Sequence, residues 1–172
     1  ADFLAIAVSE LGNISERRTA RLLDGSLSGL PRFLTSKGGL NSGLMIAQYT
    51  AASLVSENKV LCHPASVDSI PTSANQEDHN SMGSVSSIKC YDVINNVKNI
   101  LSIEFLCAAQ GMDFLRPLKS GAGTEKAYSY IRKFSKHIKE DTITSDQILN
   151  LSGIIYNTDF IDEVENNCGK LF

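Results

Sequence analysis

An all-α fold, a bundle of long helices, is what this sequence predicts, and three observations carry the prediction. Apolar residues recur at helical spacing through most of the chain. The stretches between these segments are rich in Gly, Pro and Ser, as connecting loops are. No run shows the strict apolar–polar alternation of a half-buried strand, and there is no internal repeat or low-complexity tract. With 172 residues, 42% of them hydrophobic and 20% charged, the chain suits one helical domain, residues 1–172, with a sizeable core.

The elements follow in order. Phe3, Leu4, Ala7, Val8 and Leu11 share a helical face that continues past Arg17, Arg18 and Arg21 to Leu23, with Gly12-Asn13 as an expected kink. Gly25 to Leu40 carries four glycines and a proline, so it reads as a loop, although Leu27, Leu30, Phe33 and Leu34 need burial. Ser42 to Asn58 reads as a helix that is apolar nearly all round. Gly43, Ala47, Ala51 and Leu54 line one face, and Leu44, Met45, Ile46, Tyr49 and Val55 cover much of the rest. Such a helix belongs in a bundle core or at a subunit interface.

Val60 to Asn75 is a second loop, with Pro64 and Pro71. A helix is expected from about Asp78 to Lys89, and a longer one from Tyr91 to Leu115, with Val93, Val97, Ile100, Leu101, Glu104 and Cys107 in its periodic pattern. Pro117 stops it. Gly121 and Gly123 precede an amphipathic helix from Thr124 to about Ser135. Thr144-Ser145-Asp146-Gln147 has the spacing of a capping box and opens a helix carrying Ile148, Leu149 and Ile154.

Composition narrows the function classes. The net charge is −3 and the 16 basic residues are scattered, the densest stretch, Arg132 to Lys139, reading as a solvated helix end. No basic stripe interleaves with aromatics, so nucleic acid is not an expected partner. The cysteines, Cys62, Cys90, Cys107 and Cys168, form no C-x-x-C pair and no metal-ligand spacing. They read as reduced thiols of a cytoplasmic protein, with Cys107 on an apolar helix face. Phe3 to Val8 is too short for a membrane span and lacks a basic lead, so no membrane partner is expected. The chain opens inside a helical pattern without an initiator methionine, which predicts a piece of a longer protein.

Few residues point to chemistry. His63 and His137 stand alone, without ligand spacing, and Glu16 with Arg17-Arg18 reads as a salt-bridged helix face. Lys37-Gly38-Gly39 lacks the pattern of a phosphate loop, and no Ser-His-Asp, H-E-x-x-H or nucleotide fingerprint is present. The exception is "PTSANQEDH", Pro71 to His79, where an amide pair precedes two carboxylates and a histidine. It has two readings. As a helix N-terminus, Ser73 or Asn75 caps while Glu77 and Asp78 complement the dipole. As the wall of a binding site, Glu77 accepts charge-assisted hydrogen bonds from a cationic or N–H-bearing ligand.

Four blocks bear on the choice. "LGNISERR" (Leu11 to Arg18), "GGLNSGLMIAQYTAASLVSENK" (Gly38 to Lys59), "HPASVDSIPTSANQEDHNSMG" (His63 to Gly83) and "LRPLKS" (Leu115 to Ser120) resemble consecutive blocks of the histidine ammonia-lyases, in order and spacing. The resemblance runs from the start of the chain to about Gln147 and is most specific at "PTSANQEDH". It implies a mainly helical homotetramer with active sites built from more than one subunit, eliminating ammonia from L-histidine to give trans-urocanate. The implied cofactor is methylidene-imidazolone, formed from an internal Ala-Ser-Gly.

That triplet is absent here. Ser28, Ser42, Ser120 and Ser152 precede glycines but follow Leu27, Asn41, Lys119 and Leu151. The family's tyrosine-bearing N-terminal loop and its Q-x-x-Y-S-x-R block are also missing. The resemblance therefore implies the C-terminal third of such an enzyme, inactive alone and without a cofactor-binding residue of its own. It also implies a role for Glu77, which matches a catalytic position of the family, as a substrate-orienting group ahead of a base. Gln76 is expected to support that wall, and Asp78 and His79 to bond to the local backbone. A carboxylate here suits histidine, since relatives acting on phenylalanine or tyrosine tend to place an amide in this region. Phenylalanine or tyrosine lyases, the related aminomutases, and a non-catalytic helical module that associates through its apolar helix are the alternatives.

Overall fold

The computed structural model describes residues 1–171, and among them there is no β-strand. Seven α-helices form among the described residues: α1 (Asp2–Leu23), α2 (Gly25–Ser28), α3 (Met45–Leu61), α4 (Gly83–Phe114), α5 (Ala122–Phe134), α6 (Ser145–Ile154) and α7 (Thr158–Cys168). The all-α bundle is as expected, with α4 as its spine. At 32 residues and a 1.5 Å rise per residue, α4 is about 48 Å long. Helices α1, α3 and α6 pack on it, while α5 pairs mainly with α7.

Helix α1 runs parallel to α4 and in register with it. Asp2 meets Ser86, Gly12 meets Val97 and Ile100, and the Arg18 guanidinium forks onto Glu104 at 2.5 and 2.8 Å. The expected kink at Gly12-Asn13 does not occur; α1 is continuous. Gly12 serves close approach instead. A Cβ there would sit 3.2 Å from both Ile100 Cδ1 and Val97 Cγ2, tighter than ordinary contact.

Helix α3 returns antiparallel along α4, with Asn96 donating to Asn58 and the Lys89 ammonium reaching the His63 carbonyl. It starts at Met45, three residues later than its composition predicts, and ends at Leu61. Gly43 explains the delay. Its φ of +58° is left-handed, and a Cβ would lie 2.4 Å from the Phe33 carbonyl oxygen. The Asp141 carboxylate accepts from the Ser42 and Gly43 amides at 2.9 Å each, closing the turn before α3. Leu44, Ala47 and Ala51 are buried, but Ile46 and Tyr49 face outward, 61% and 68% exposed. The helix is therefore half core and half open apolar face.

The two helices expected over Asp78–Lys89 and Tyr91–Leu115 are one, and it begins at Gly83. The Cys90-Tyr91 junction carries no breaker, and Cys90 and Val93 are buried on the same face. Pro117 lies just beyond its end, as expected. The capping box before α6 does not form. Gln147 Oε1 accepts from the Lys136 amide at 2.8 Å, so that side chain is spent on a tertiary bond. Helix α7, with Asn157 accepting from the Asp159 amide, was not anticipated.

The main core joins Ile100, Ile103, Leu106 and Cys107 of α4 to Leu23, Leu34, Ala51, Ile131 and Leu151. Cys107 is fully buried, and burial pushes its thiol pKa up. All four cysteines are free. Gln110, fully buried on α4, donates to the Leu34 and Ile138 carbonyls and accepts from the Ile138 amide, so a polar side chain binds two loops to the spine without an orphaned group. Among the described residues no helix is long and apolar enough to cross a membrane.

The α1–α4 contact predicts opposite outcomes at two glycines. Gly12→Leu overfills the crossing and is expected to cost about 1–3 kcal/mol. Gly153→Ala, in α6 with open space around the new methyl, is expected to gain up to about 1 kcal/mol of helix propensity. Urea unfolding monitored by circular dichroism reads both. An unchanged midpoint for Gly12→Leu would contradict the packing assigned to that position.

Candidate functional site

The segment between α3 and α4, residues 62–82, holds "PTSANQEDH". It is tied down at both ends by one carboxylate. Asp2, in the first turn of α1, accepts from the Ser66 amide at 3.0 Å and from the Ser86 hydroxyl at 2.6 Å. Those hydrogen bonds, the Ser86 one foremost, hold the Asp2 pKa well below the usual carboxylate range. The parallel register of α1 and α4 is what brings Asp2 to Ser86.

Inside these anchors the chain makes a tight reversal. The Thr72 amide donates to the Glu77 carbonyl at 3.0 Å, and the Glu77 amide to the Thr72 carbonyl at 3.4 Å, an isolated antiparallel bridge. Ser73, Ala74 and Asn75 between them all have left-handed φ, at 52°, 54° and 71°. For L-residues that conformation costs roughly 1–2 kcal/mol each. Neither Ser73 nor Ala74 is a residue type that relieves this cost locally, and such clusters concentrate at functional sites.

The reversal fixes Glu77. Its Oε2 accepts from the Thr72 hydroxyl at 2.6 Å and from the Ser73 hydroxyl at 3.3 Å. Behind it, Asn80 Nδ2 donates to Thr72 Oγ1 at 3.2 Å, and the Asn80 amide donates to Ser69 Oγ at 3.0 Å. Glu77 Oε1 accepts no hydrogen bond among the described residues. One oxygen is held while the other is open to a donor, an arrangement able to bind an ammonium or an imidazole N–H.

The helix-N-terminus reading of this stretch is overturned, because α4 opens only at Gly83 and residues 73–75 form a single 3-10 turn. Glu77 and Gln76 are both on the exposed side of the loop. The Gln76 amide donates to the Ser73 carbonyl, a backbone contact within the reversal. Asp78 and His79 are exposed, and the backbone hydrogen bonds expected of their side chains are not formed among the described residues. His79 borders a hollow of about 480 Å³ with Asp2, Asp68 and Ser81. Sequence reasoning misses Thr72 and Ser73 as the partners of Glu77, and Asn80 and Ser69 behind Thr72. The bridge that assembles them comes from left-handed backbone at non-glycine residues, which no side-chain pattern announces.

His137 is not isolated. Asp113, near the end of α4, contacts His137 Nδ1, the Arg132 guanidinium and the Tyr128 hydroxyl, each at 2.5 Å. Burial works to raise the Asp113 pKa, but the hydrogen bonds from Tyr128 and His137 and the charges of Arg132 and His137 outweigh it and leave it lowered. The expected solvated basic patch is thus in part a structural ion cluster joining α4 to α5. The expected pairing of Glu16 with Arg17 is present, but Arg18 turns to Glu104. In the "LRPLKS" block, Arg116 forks onto Glu125 at 2.9 and 3.0 Å and brings its pKa down to about 2, with the Ser120 amide assisting. Among the described residues no group of three or more His, Cys, Asp or Glu side chains could hold a metal ion.

Known proteins share this architecture. The model of a family described as aromatic amino acid lyase matches residues 1–133, which include the whole loop and all but the end of α5. Histidine ammonia-lyase from Deinococcus radiodurans is 60% identical over 152 residues, covering 88% of this chain and 29% of that protein. The crystal structure of histidine ammonia-lyase from Trypanosoma cruzi is similar with a TM-score of 0.92 at 52% identity, over 96% of this chain and 32% of that one. Tyrosine aminomutase from Streptomyces globisporus has a TM-score of 0.90 at 32% identity, with the same two coverages, 96% and 32%. The chain spans about a third of the length of the relatives it matches. On the match over residues 1–133, this chain belongs to the aromatic amino acid lyase family.

Proposed function

We propose that this chain is part of a histidine ammonia-lyase, in which it contributes Glu77 to a site that eliminates ammonia from L-histidine to give trans-urocanate. The observation that carries the reading is the Glu77 carboxylate, with Oε2 fixed by two hydroxyls and Oε1 open. Histidine offers both an ammonium and an imidazole N–H to such an oxygen, whereas a phenyl or phenol ring offers no N–H. The identities agree in direction: 60% and 52% to histidine ammonia-lyases against 32% to a tyrosine aminomutase.

Glu77 acts in this reading by orienting the substrate. A carboxylate already bonded through one oxygen has lost rotational freedom before the ligand arrives, so less entropy is lost on binding. Gln76, next to it on the exposed side of the same turn, supports the wall. Substrate binding buries this exposed loop only if other segments close over it, which favours a site completed by further chain. The outward Ile46 and Tyr49 of α3 favour self-association, as expected of a homotetramer. A cytoplasmic location accords with four free thiols.

The family implies methylidene-imidazolone, and this chain does not fit its formation. None of its four Ser-Gly pairs follows alanine. Each is also held in local structure: Ser28 ends α2, Ser42 and Gly43 bind Asp141, Ser120 binds Glu125, and Ser152 lies within α6. The chain supplies no precursor for the electrophile.

The isolated chain is expected to form no urocanate from L-histidine, read by ultraviolet absorbance; turnover by the pure chain would overturn the assignment. In the full-length enzyme, Glu77→Gln keeps shape but removes the charge, and kcat/KM is expected to fall about a hundredfold or more, since losing a charged hydrogen-bond partner in a desolvated site costs a few kcal/mol. Asp78→Asn is expected to be far milder, because Asp78 takes no part in the reversal. Near-normal histidine turnover by Glu77→Gln would sink the role of Glu77, and equal damage from Asp78→Asn would move it to the neighbouring carboxylate.

A further inference from the structure

Glu77 reaches its position through a relay of side chains rather than by its backbone alone. Thr72 Oγ1 is the centre of the relay. It donates its single proton to Glu77 Oε2 at 2.6 Å, and it accepts from Asn80 Nδ2 at 3.2 Å. A hydroxyl that accepts one hydrogen bond becomes a better donor in the next, so Asn80 strengthens the bond to the carboxylate. Asn80 is itself fixed: its amide donates to Ser69 Oγ, and Ser69 Oγ lies 3.4 Å from the Asn80 carbonyl. Thr72 and Asn80 are half-buried, whereas Glu77 is exposed, so the relay runs from the interior of the loop outward.

Orientation of the donors is forced. Asn80 Nδ2 has protons only to give, so Thr72 Oγ1 accepts from it, and the one Thr72 proton goes to the carboxylate. The Ser73 hydroxyl, at 3.3 Å from the same oxygen, is the weaker second donor. Both hydroxyls converge on Oε2 and leave Oε1 without a hydrogen-bond donor among the described residues. Thr72→Val keeps the β-branched shape that suits the bridge and removes the hydroxyl, both the donor to Glu77 and the acceptor of Asn80 Nδ2.

We infer that Thr72, backed by Asn80, is a positioning residue that holds the Glu77 carboxylate in the orientation that receives the substrate's N–H or ammonium group. The inference rests on the reading of Glu77 as a substrate-binding carboxylate. It assigns to the loop a specific division: Oε2 belongs to the protein and Oε1 to the substrate.

The test is a set of variants of the full-length enzyme, assayed for urocanate formation from L-histidine after circular dichroism has established folding. Thr72→Val is expected to lower kcat/KM about ten- to a hundredfold, the range for losing a hydrogen bond to a charged group. Thr72→Ser, which keeps the hydroxyl, is expected to recover most of that loss. Asn80→Ala is expected to cost about three- to tenfold, as one neutral hydrogen bond does, and it tests the relay even if Thr72→Val folds poorly. The discriminating measurement is the double variant: in a Glu77→Gln background, Thr72→Val is expected to add little, because the two act as one unit. Wild-type kcat/KM in Thr72→Val, with Glu77→Gln still impaired, would overturn the inference and leave the Glu77 reading standing. A Thr72→Val penalty that persists undiminished beside Glu77→Gln, or equal losses in Thr72→Ser and Thr72→Val, would also overturn it, assigning Thr72 to the loop alone. Near-normal Glu77→Gln would instead remove the reading on which the inference rests.

Discussion

The close crossing of α1 on α4 is the contact from which the rest of the molecule follows. Gly12 lets the two helices approach until Val97 and Ile100 fill the space a side chain would take. Because the helices run parallel and in register, that approach also places Asp2 beside Ser86, about one helix-length of contacts away from the Arg18–Glu104 pair. Asp2 then reaches Ser66, on the other side of the loop. A packing contact between two helices thereby sets the span that the "PTSANQEDH" segment has to bridge. The small core cluster of Ala5, Cys90, Val93 and Val97 lies along the same seam and holds it shut.

Within that span the backbone adopts an unfavourable conformation. Of three successive left-handed residues, Ser73 and Ala74 together cost roughly 2–4 kcal/mol, a large fraction of a domain's usual stability. A shorter or softer turn would connect the same elements without this cost. The conformation instead permits the Thr72–Glu77 bridge and brings two hydroxyls to one carboxylate oxygen. Strain of this kind persists only where surrounding contacts over-determine it. Here those contacts are the Asp2 staple outside and the Ser69–Asn80–Thr72 relay inside. The result is an acceptor that is pre-aimed, and pre-aiming is the property a binding site requires of its polar groups.

Much of this was legible in the sequence, and the boundary is physical. The helices were readable because their apolar periodicity is local; α1, α3, α5 and α6 appear where residue spacing puts them, give or take a turn, and α4 covers most of the two helices expected there. Fusion of the two expected helices into α4 was harder to read, since no breaker separates Lys89 from Tyr91 and polar residues near Asp78 suggested a start that the backbone does not make. Gly12 was read as a kink because a glycine's local effect is visible and its role in a distant contact is not. The capping-box pattern at Thr144 failed for the same reason: Gln147 has a better partner in Lys136, eleven positions upstream. Glu77 is proposed as a site residue on its residue type and the blocks around it. Its partners Thr72 and Ser73, and Asn80 behind Thr72, depend on a backbone reversal that side-chain chemistry does not encode in any simple period. His137 likewise looked solitary because Asp113 lies on another helix.

Glu77 is proposed to be shared between protein and ligand, one oxygen to each. A crystal structure of the full-length enzyme with urocanate or an unreactive histidine analogue bound tests this most directly. Glu77 Oε1 is expected at hydrogen-bonding distance, about 2.6–3.2 Å, from a ligand nitrogen, while Oε2 still accepts from Thr72 and residues 73–75 keep their left-handed turn. A ligand bound away from this loop, or a Glu77 side chain turned so that Thr72 and Oε2 have parted, would contradict it.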